Sequence, residues 1–131
     1  EPGCITEVSF PEVKSKTENS ATSICVVQKD GRIDYILSSD NPTDICTSGK
    51  MSAQATYALW GNKKGDDCTF FLGHGTLLST PNVVIKAETP ADVLLEFKKG
   101  AWYYTASTDC TVSIQKKTYK LKANTEEKIL K

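Results

Sequence analysis

The chain has 131 residues, and its 16 basic and 16 acidic side chains give no formal net charge. This balance argues against the strongly basic face that binding to a phosphate backbone requires, so we expect no nucleic-acid partner. No apolar run approaches a membrane span. Five cysteines in so short a chain suit an oxidising compartment, and the sequence opens without a charged and apolar leader. These features predict a mature, secreted, extracellular protein.

The cysteines indicate an internal repeat. The interval from Cys4 to Cys46 is 42 residues, and the interval from Cys68 to Cys110 is also 42. A T-Y-x-L-x-x-N frame follows the second cysteine of each pair, at 56–62 and at 118–124. A repeat of this kind predicts a duplicated structural unit.

The predicted units are residues 1–66 and 67–131. In both, Gly, Pro, Ser, Asn and Asp separate short β-branched and aromatic runs about every ten residues, which is typical of an all-β domain. Helix competes with strand at 50–60, because alanines favour helix there. The repeat favours a strand at 54–60. The other predicted strands are 5–10, 24–28, 32–37, 69–72, 82–87, 92–98, 101–106, 111–115 and 118–122.

Two hairpins are predicted from their turn residues. Asp30-Gly31 tolerates the positive φ of a tight turn, which would place Lys29 opposite Arg32 and Val26 opposite Tyr35. Lys99-Gly100 would turn in the same way. Alternation then predicts one core face made of Val93, Leu95, Phe97, Trp102, Tyr104 and Ala106.

The duplication also suggests the simplest disulfide pairing, Cys4 with Cys46 and Cys68 with Cys110. Each bridge would close a loop of about forty residues, which the chain-entropy model values at about 4 kcal/mol. Cys25 is then left as a free, buried thiol in a monomer. The alternatives are a bridge from Cys25 to Cys68, or an intermolecular bridge that makes a dimer. The cysteines form none of the close pairs that zinc prefers, so we expect no metal and no cofactor.

His74 is the one histidine, and it lies between Gly73 and Gly75. With Asp66 or Asp67 upstream it could serve as an acid or a base. Because a second catalytic partner is not evident, an exposed turn or a bulge is the preferred interpretation, and no catalytic residue is predicted.

Lysine pairs occur at expected turns: Lys63 with Lys64, Lys98 with Lys99, and Lys116 with Lys117. The last four would collect at one end of the second unit if its strands run antiparallel in series. They would form a basic patch for an acidic partner, with solubility as the alternative role.

Of the two tryptophans, Trp102 is expected in the core and Trp60 at the surface.

The second unit carries a family-like signature. Trp102-Tyr-Tyr-Thr-Ala-Ser-Thr-Asp-Cys110-Thr-Val-Ser-Ile, followed by Thr118-Tyr119-Lys-Leu, resembles the ToxB toxin and the MAX effectors of fungal plant pathogens. The resemblance implies two tandem six-stranded antiparallel β-sandwich units, each with one disulfide. Its first-to-fifth-strand bridge maps onto Cys4 with Cys46 and Cys68 with Cys110.

The resemblance implies a secreted, non-enzymatic fungal effector or toxin with a role in virulence. It would recognise a host protein through its surface, outside or inside host cells. One alternative is a small secreted hydrolase or ribonuclease that uses His74. Another is a module that binds an anionic ligand or a glycan through the lysine turns.

Overall fold

A computed structural model describes residues 5–15, 21–62 and 67–130. Their secondary structure is antiparallel β throughout, without a helix, which confirms the predicted all-β class. The strands are β1 (Ile5–Ser9), β2 (Lys14–Ser15), β3 (Ala21–Gln28), β4 (Ile33–Ser39), β5 (Cys46–Ser48), β6 (Met51–Asn62), β7 (Cys68–Ser79), β8 (Val83–Lys98), β9 (Ala101–Ala106), β10 (Cys110–Ile114), β11 (Lys117–Leu121) and β12 (Asn124–Ile129).

Three long strands, β6, β7 and β8, hold the structure together because each belongs to two layers. One end of each of these strands belongs to a front layer, which has the strand order β1-β3-β4-β6-β7-β8-β9-β12. Their other ends form a back layer with order β2-β5-β6-β7-β8-β10-β11. The two layers are parts of one continuous twelve-stranded sheet.

The sheet bends where β7 carries a bulge. The pairing of β7 with β8 shifts on both sides of Gly75, and His74 has a φ of 50°. The backbone N–H of His74 donates to Asp92 Oδ1 at 2.8 Å, so the residue that leaves the ladder still has a partner. Gly73 and Gly75 therefore flank a bulge, which was predicted from the sequence as an alternative to an exposed turn.

The layers enclose a single hydrophobic cluster. Alternation sends every second side chain inward, and the inward residues are apolar in both layers. The front layer contributes Leu37, Phe70, Leu72, Val93, Leu95 and Tyr104, and the back layer contributes Met51, Ala53, Leu78, Val83, Ile85, Val112, Ile114 and Leu121.

Of the two hairpins, one has the predicted register and one does not. Leu95 pairs with Tyr104 around the two-residue turn Lys99-Gly100, as predicted. In the first hairpin, however, Cys25 and not Val26 pairs with Tyr35. The reason is a three-residue loop: Gln28 N–H donates to Arg32 O at 2.8 Å, whereas the prediction assumed a two-residue loop.

The predicted division into units 1–66 and 67–131 stays a prediction. Each half contributes six of the described strands. The sheet nevertheless continues across the boundary, because β6 pairs with β7 from Ser52–Ser79 to Asn62–Cys68. In the described ranges, no helix is long and apolar enough to cross a membrane.

The predicted bridge between Cys68 and Cys110 is absent, since both are free thiols. Cys68 pairs with Phe97 in the front layer, whereas Thr111, next to Cys110, pairs with Lys86 in the back layer. Cys68 lines the same depression as Ile114, the last residue of β10, whereas Cys110 is its first. Four strand residues span about 13 Å, more than the roughly 7 Å between Cα atoms that a disulfide allows. No disulfide joins two cysteines of the described ranges.

Two further cysteine predictions remain open. Cys4 lies outside the described residues, so its bridge to Cys46 stays a prediction. Cys25 is a half-buried free thiol on the strand position opposite Tyr35. A dimer linked through Cys25 likewise stays a prediction.

Candidate functional site

A groove runs along one open end of the two layers. One part, of about 370 Å³, lies between Tyr35 and Trp60 of the front layer and the β5–β6 turn at Ser48–Met51. A second part, of about 200 Å³, lies between the ends of β6, β7 and β9 and the β7–β8 turn. Trp60 borders both parts, so we treat them as one feature and call it the end groove.

A row of aromatic rings lines the end groove. Tyr35 and Trp60 have ring centroids 5.2 Å apart, Trp60 and Phe70 lie 6.4 Å apart and nearly parallel, and Phe70 and Trp102 lie 6.1 Å apart. The strand register produces this row, because Tyr35 pairs with Trp60 and Trp60 pairs with Phe70 on one face. We call Tyr35, Trp60, Phe70 and Trp102 the aromatic row.

Three rings of the aromatic row are half-buried, and only Phe70 is buried. Trp102 was expected in the core and Trp60 at the surface, but both have one part against the core and one part accessible. The position of the strand ends explains this: the rings are on the inward face, at the place where the layers open. Ring faces held in this way provide a rigid apolar platform.

Exposed amides accompany the rings. Asn62, Asn82 and Gln115 line the second part of the end groove. Within the part of the chain that the structure describes, their side-chain amides have no hydrogen-bond partner. An amide group offers two donor hydrogens and an acceptor, which suits a ligand rich in hydroxyl groups. Lys50 adds one exposed cation to the first part.

The structure places the four lysines of the predicted basic patch on two turns at this same end. Trp102, beside the β8–β9 turn, and Gln115, in the β10–β11 turn, line one depression. Lys98, however, is paired with Glu127 at 2.5 Å and with Glu96 at 3.6 Å, and the hydrogen bond to Glu127 raises its pKa. Lys98 therefore stays protonated, and the two carboxylates offset its positive charge.

The other three lysines of the patch are exposed. Lys99 and Lys116 adopt positive φ values in their turns, and Lys117 Nζ lies 5.3 Å from the centre of the Tyr119 ring. The basic patch as a binding surface stays a prediction. Lys63 and Lys64 lie outside the described residues.

His74 does not join the end groove. It is exposed on the bulge of β7, and only its backbone N–H makes the contact to Asp92. Asp66, one of its predicted carboxylate partners, lies outside the described residues. Among the residues that are described, no group of three or more histidine, cysteine or acidic side chains is placed to hold a metal ion.

The sequence did not reveal Asn62, Asn82 and Gln115 as site residues. Each occurs at a strand end or in a turn, where an amide residue usually has a conformational role. The available signal was an aromatic residue on the inward face near the end of each of four strands, β4, β6, β7 and β9.

Comparisons with known proteins find one family. The family model described as the endo-acting ulvan lyase C-terminal domain matches residues 9–97. No curated protein and no solved structure matches the chain.

The family match shows that the predicted relation to ToxB and the MAX effectors is wrong, together with the fungal effector, toxin and virulence roles that it implied. The matched segment crosses the predicted boundary between 66 and 67. The residues behind the earlier resemblance were turn, cysteine and core residues, which determine hairpins and recur in unrelated antiparallel folds.

Proposed function

Because the chain belongs to the family of the endo-acting ulvan lyase C-terminal domain, we propose that it is a non-catalytic module that binds a polysaccharide. The expected ligand is ulvan, the polysaccharide in the family description. The proposed partner is therefore a glycan and not a host protein. We propose that the module acts outside the cell, where it would encounter such a polysaccharide.

The aromatic row in the end groove carries the proposal. The C–H faces of sugar rings are apolar and pack against aromatic faces, while hydroxyl groups need donors and acceptors at the rim. Trp60 and Trp102 supply the ring faces, and Asn82 and Gln115 supply amides. The two parts of the groove adjoin at Trp60 and are open to solvent, which suits an internal stretch of a polymer.

The absence of a catalytic role is part of the proposal. His74 stands apart from the end groove, and the hydrolase or ribonuclease that it would serve has no support from the family match. Incubation of ulvan with the protein should leave the viscosity of the polymer unchanged. A fall in viscosity that disappears in His74→Ala would show that the protein is an enzyme.

The test of binding is titration of ulvan in a calorimeter with matched variants. Trp60→Ala should weaken binding by about tenfold or more, because it removes a stacking platform. Trp60 also packs on the core, so Asn82→Ala/Gln115→Ala provides a second variant whose exposed side chains carry no packing. We expect about a three- to tenfold loss there, the worth of one or two hydrogen bonds.

Tyr57→Ala is the matched control. Tyr57 is 40% exposed and packs on Phe71 at 6.0 Å, on the opposite face of the front layer. It should bind ulvan as the unaltered protein does. Equal binding by all three variants would exclude the end groove, and no binding by the unaltered protein would exclude the proposed function.

A further inference from the structure

A second cavity, of about 470 Å³, lies on the back layer where β8, β10 and β11 come together. It shares no lining residue with the end groove. Three lysines border it, Lys86, Lys120 and Lys122, together with Thr111. Two carboxylates, Glu88 and Asp109, complete the charged lining.

The register places two of the lysines on either side of one hydroxyl group. Lys86 pairs with Thr111, and Thr111 pairs with Lys120, so the three residues lie side by side on one face of three adjacent strands. Neighbouring Cα atoms in such pairs are about 5 Å apart, which puts the two lysine Cα atoms about 10 Å from each other. Flexible four-carbon stems let both ammonium groups reach one group above Thr111.

The charges in the cavity leave these two lysines available. Lys122 pairs with Asp109 at 3.6 Å, and the Ala123 N–H also donates to Asp109, at 2.8 Å. The hydrogen bond from Ala123, followed by the charge of Lys122, lowers the pKa of Asp109 and keeps it ionised. Lys86 and Lys120 make no ion pair with any described residue, and Glu88 alone remains to offset them.

We propose that Lys86, Thr111 and Lys120 form a second binding site, which takes an acidic group, sulfate or carboxylate, of an anionic polysaccharide. Two ammonium groups and one hydroxyl donor match the several acceptor oxygens of such a group. The choice of a polysaccharide as the carrier of the acidic group rests on the proposed function. The site itself does not depend on the end groove.

The test uses dextran sulfate and dextran, which share a backbone and differ in charge. Dextran sulfate should bind, and Lys86→Gln/Lys120→Gln should weaken that binding by about tenfold, while dextran shows no difference between the proteins. Lys29→Gln/Lys128→Gln is the control, because it removes the same charge from exposed positions away from the cavity. Lys86→Arg/Lys120→Arg should retain binding.

Inorganic sulfate locates the site. In NMR titrations of the unaltered protein, the Thr111 amide should be among the most strongly shifted, and Lys86→Gln/Lys120→Gln should abolish this shift. An equal loss of dextran sulfate binding in both glutamine pairs would reduce the effect to net charge and overturn the proposal. Sulfate-induced chemical-shift changes centred on residues outside this cavity would also overturn the proposal. Neither result depends on ulvan binding in Trp60→Ala, so the two proposals can fail separately.

Discussion

Gly75 lies at the bend of the sheet, where it pairs with Ala55 of β6. A Cβ added at Gly75 would lie 2.2 Å from the Cβ of Ala55, and 2.7 Å from both the Ala55 Cα and the Gln54 carbonyl oxygen. Carbon atoms in contact normally stay about 3.5–4.0 Å apart. Two of the three clashing atoms belong to the backbone, so no side-chain rotation relieves the clash and the strands must separate.

Gly75→Ala should therefore be among the most destabilising single-methyl additions in this chain. Overpacking of a rigid core costs about 1–3 kcal/mol and occasionally more. A clash with backbone atoms belongs at the upper end, so we expect a loss of about 3 kcal/mol or more in the free energy of unfolding. The midpoint of thermal unfolding should fall by about 10 °C. Urea titration followed by tryptophan fluorescence measures the first quantity, and far-UV circular dichroism on heating measures the second.

Gly49→Ala separates this steric effect from ordinary glycine effects. Gly49 has a φ of +59°, and an added Cβ there would meet nothing within 4 Å. Its substitution should cost only about 1 kcal/mol, the penalty of a left-handed conformation. Ala55→Gly combined with Gly75→Ala should recover part of the loss, because it removes the 2.2 Å contact and leaves the 2.7 Å contacts. If Gly75→Ala costs no more than Gly49→Ala, the bend tolerates a side chain at Gly75 and the expected backbone clash does not occur.

Two other changes have defined signs. Lys99→Asn should raise the free energy of unfolding by about 0.5–1 kcal/mol in urea titration, because Lys99 has a φ of 54° in a two-residue turn that favours Asn-Gly. Lys29→Asn, which removes the same charge at a position without positive φ, should give no such gain. Burial, followed by the charge of Asp109, raises the pKa of Cys110 from 9.0 to about 11. Between pH 9 and 11 the unfolded chain loses this proton and the folded chain keeps it, so stability should fall as the pH rises through that window, by up to about 2 kcal/mol. The unfolding free energy of Cys110→Ala should fall less steeply over the same range, and identical slopes would contradict the assignment to Cys110.

The hairpins show what a sequence pattern can and cannot determine. Alternation and turn residues located both hairpins, and the register of 98–101 was correct because two residues form its loop. At Gln28–Arg32 one additional loop residue moves every pair by one position. The alternation of apolar and polar residues does not reveal how many residues form the loop. It therefore cannot distinguish the register of a two-residue loop from that of a three-residue loop.

The two patterns behind the predicted repeat differ in where the structure places them. Cys46 begins β5 and Cys110 begins β10, and both strands pair within the back layer. The two copies of the T-Y-x-L-x-x-N frame do not share a layer in this way. The first copy, 56–62, lies in the front-layer part of β6, whereas the second copy begins in β11 of the back layer. Short motifs of turn and core residues fit either layer.

The candidate site was hidden by the way in which the two halves join. Tyr35 and Trp60 come from the first half of the chain and Phe70 and Trp102 from the second, and the contact of Trp60 with Phe70 lies on the pairing of β6 with β7. The sequence offered no signal for that pairing, because a repeat suggests that each half completes its own sheet. A half alone contains only two rings of the aromatic row, and the second part of the end groove needs lining residues from both halves. The aromatic row therefore exists because strands from both halves of the chain belong to one sheet, joined by the pairing of β6 with β7.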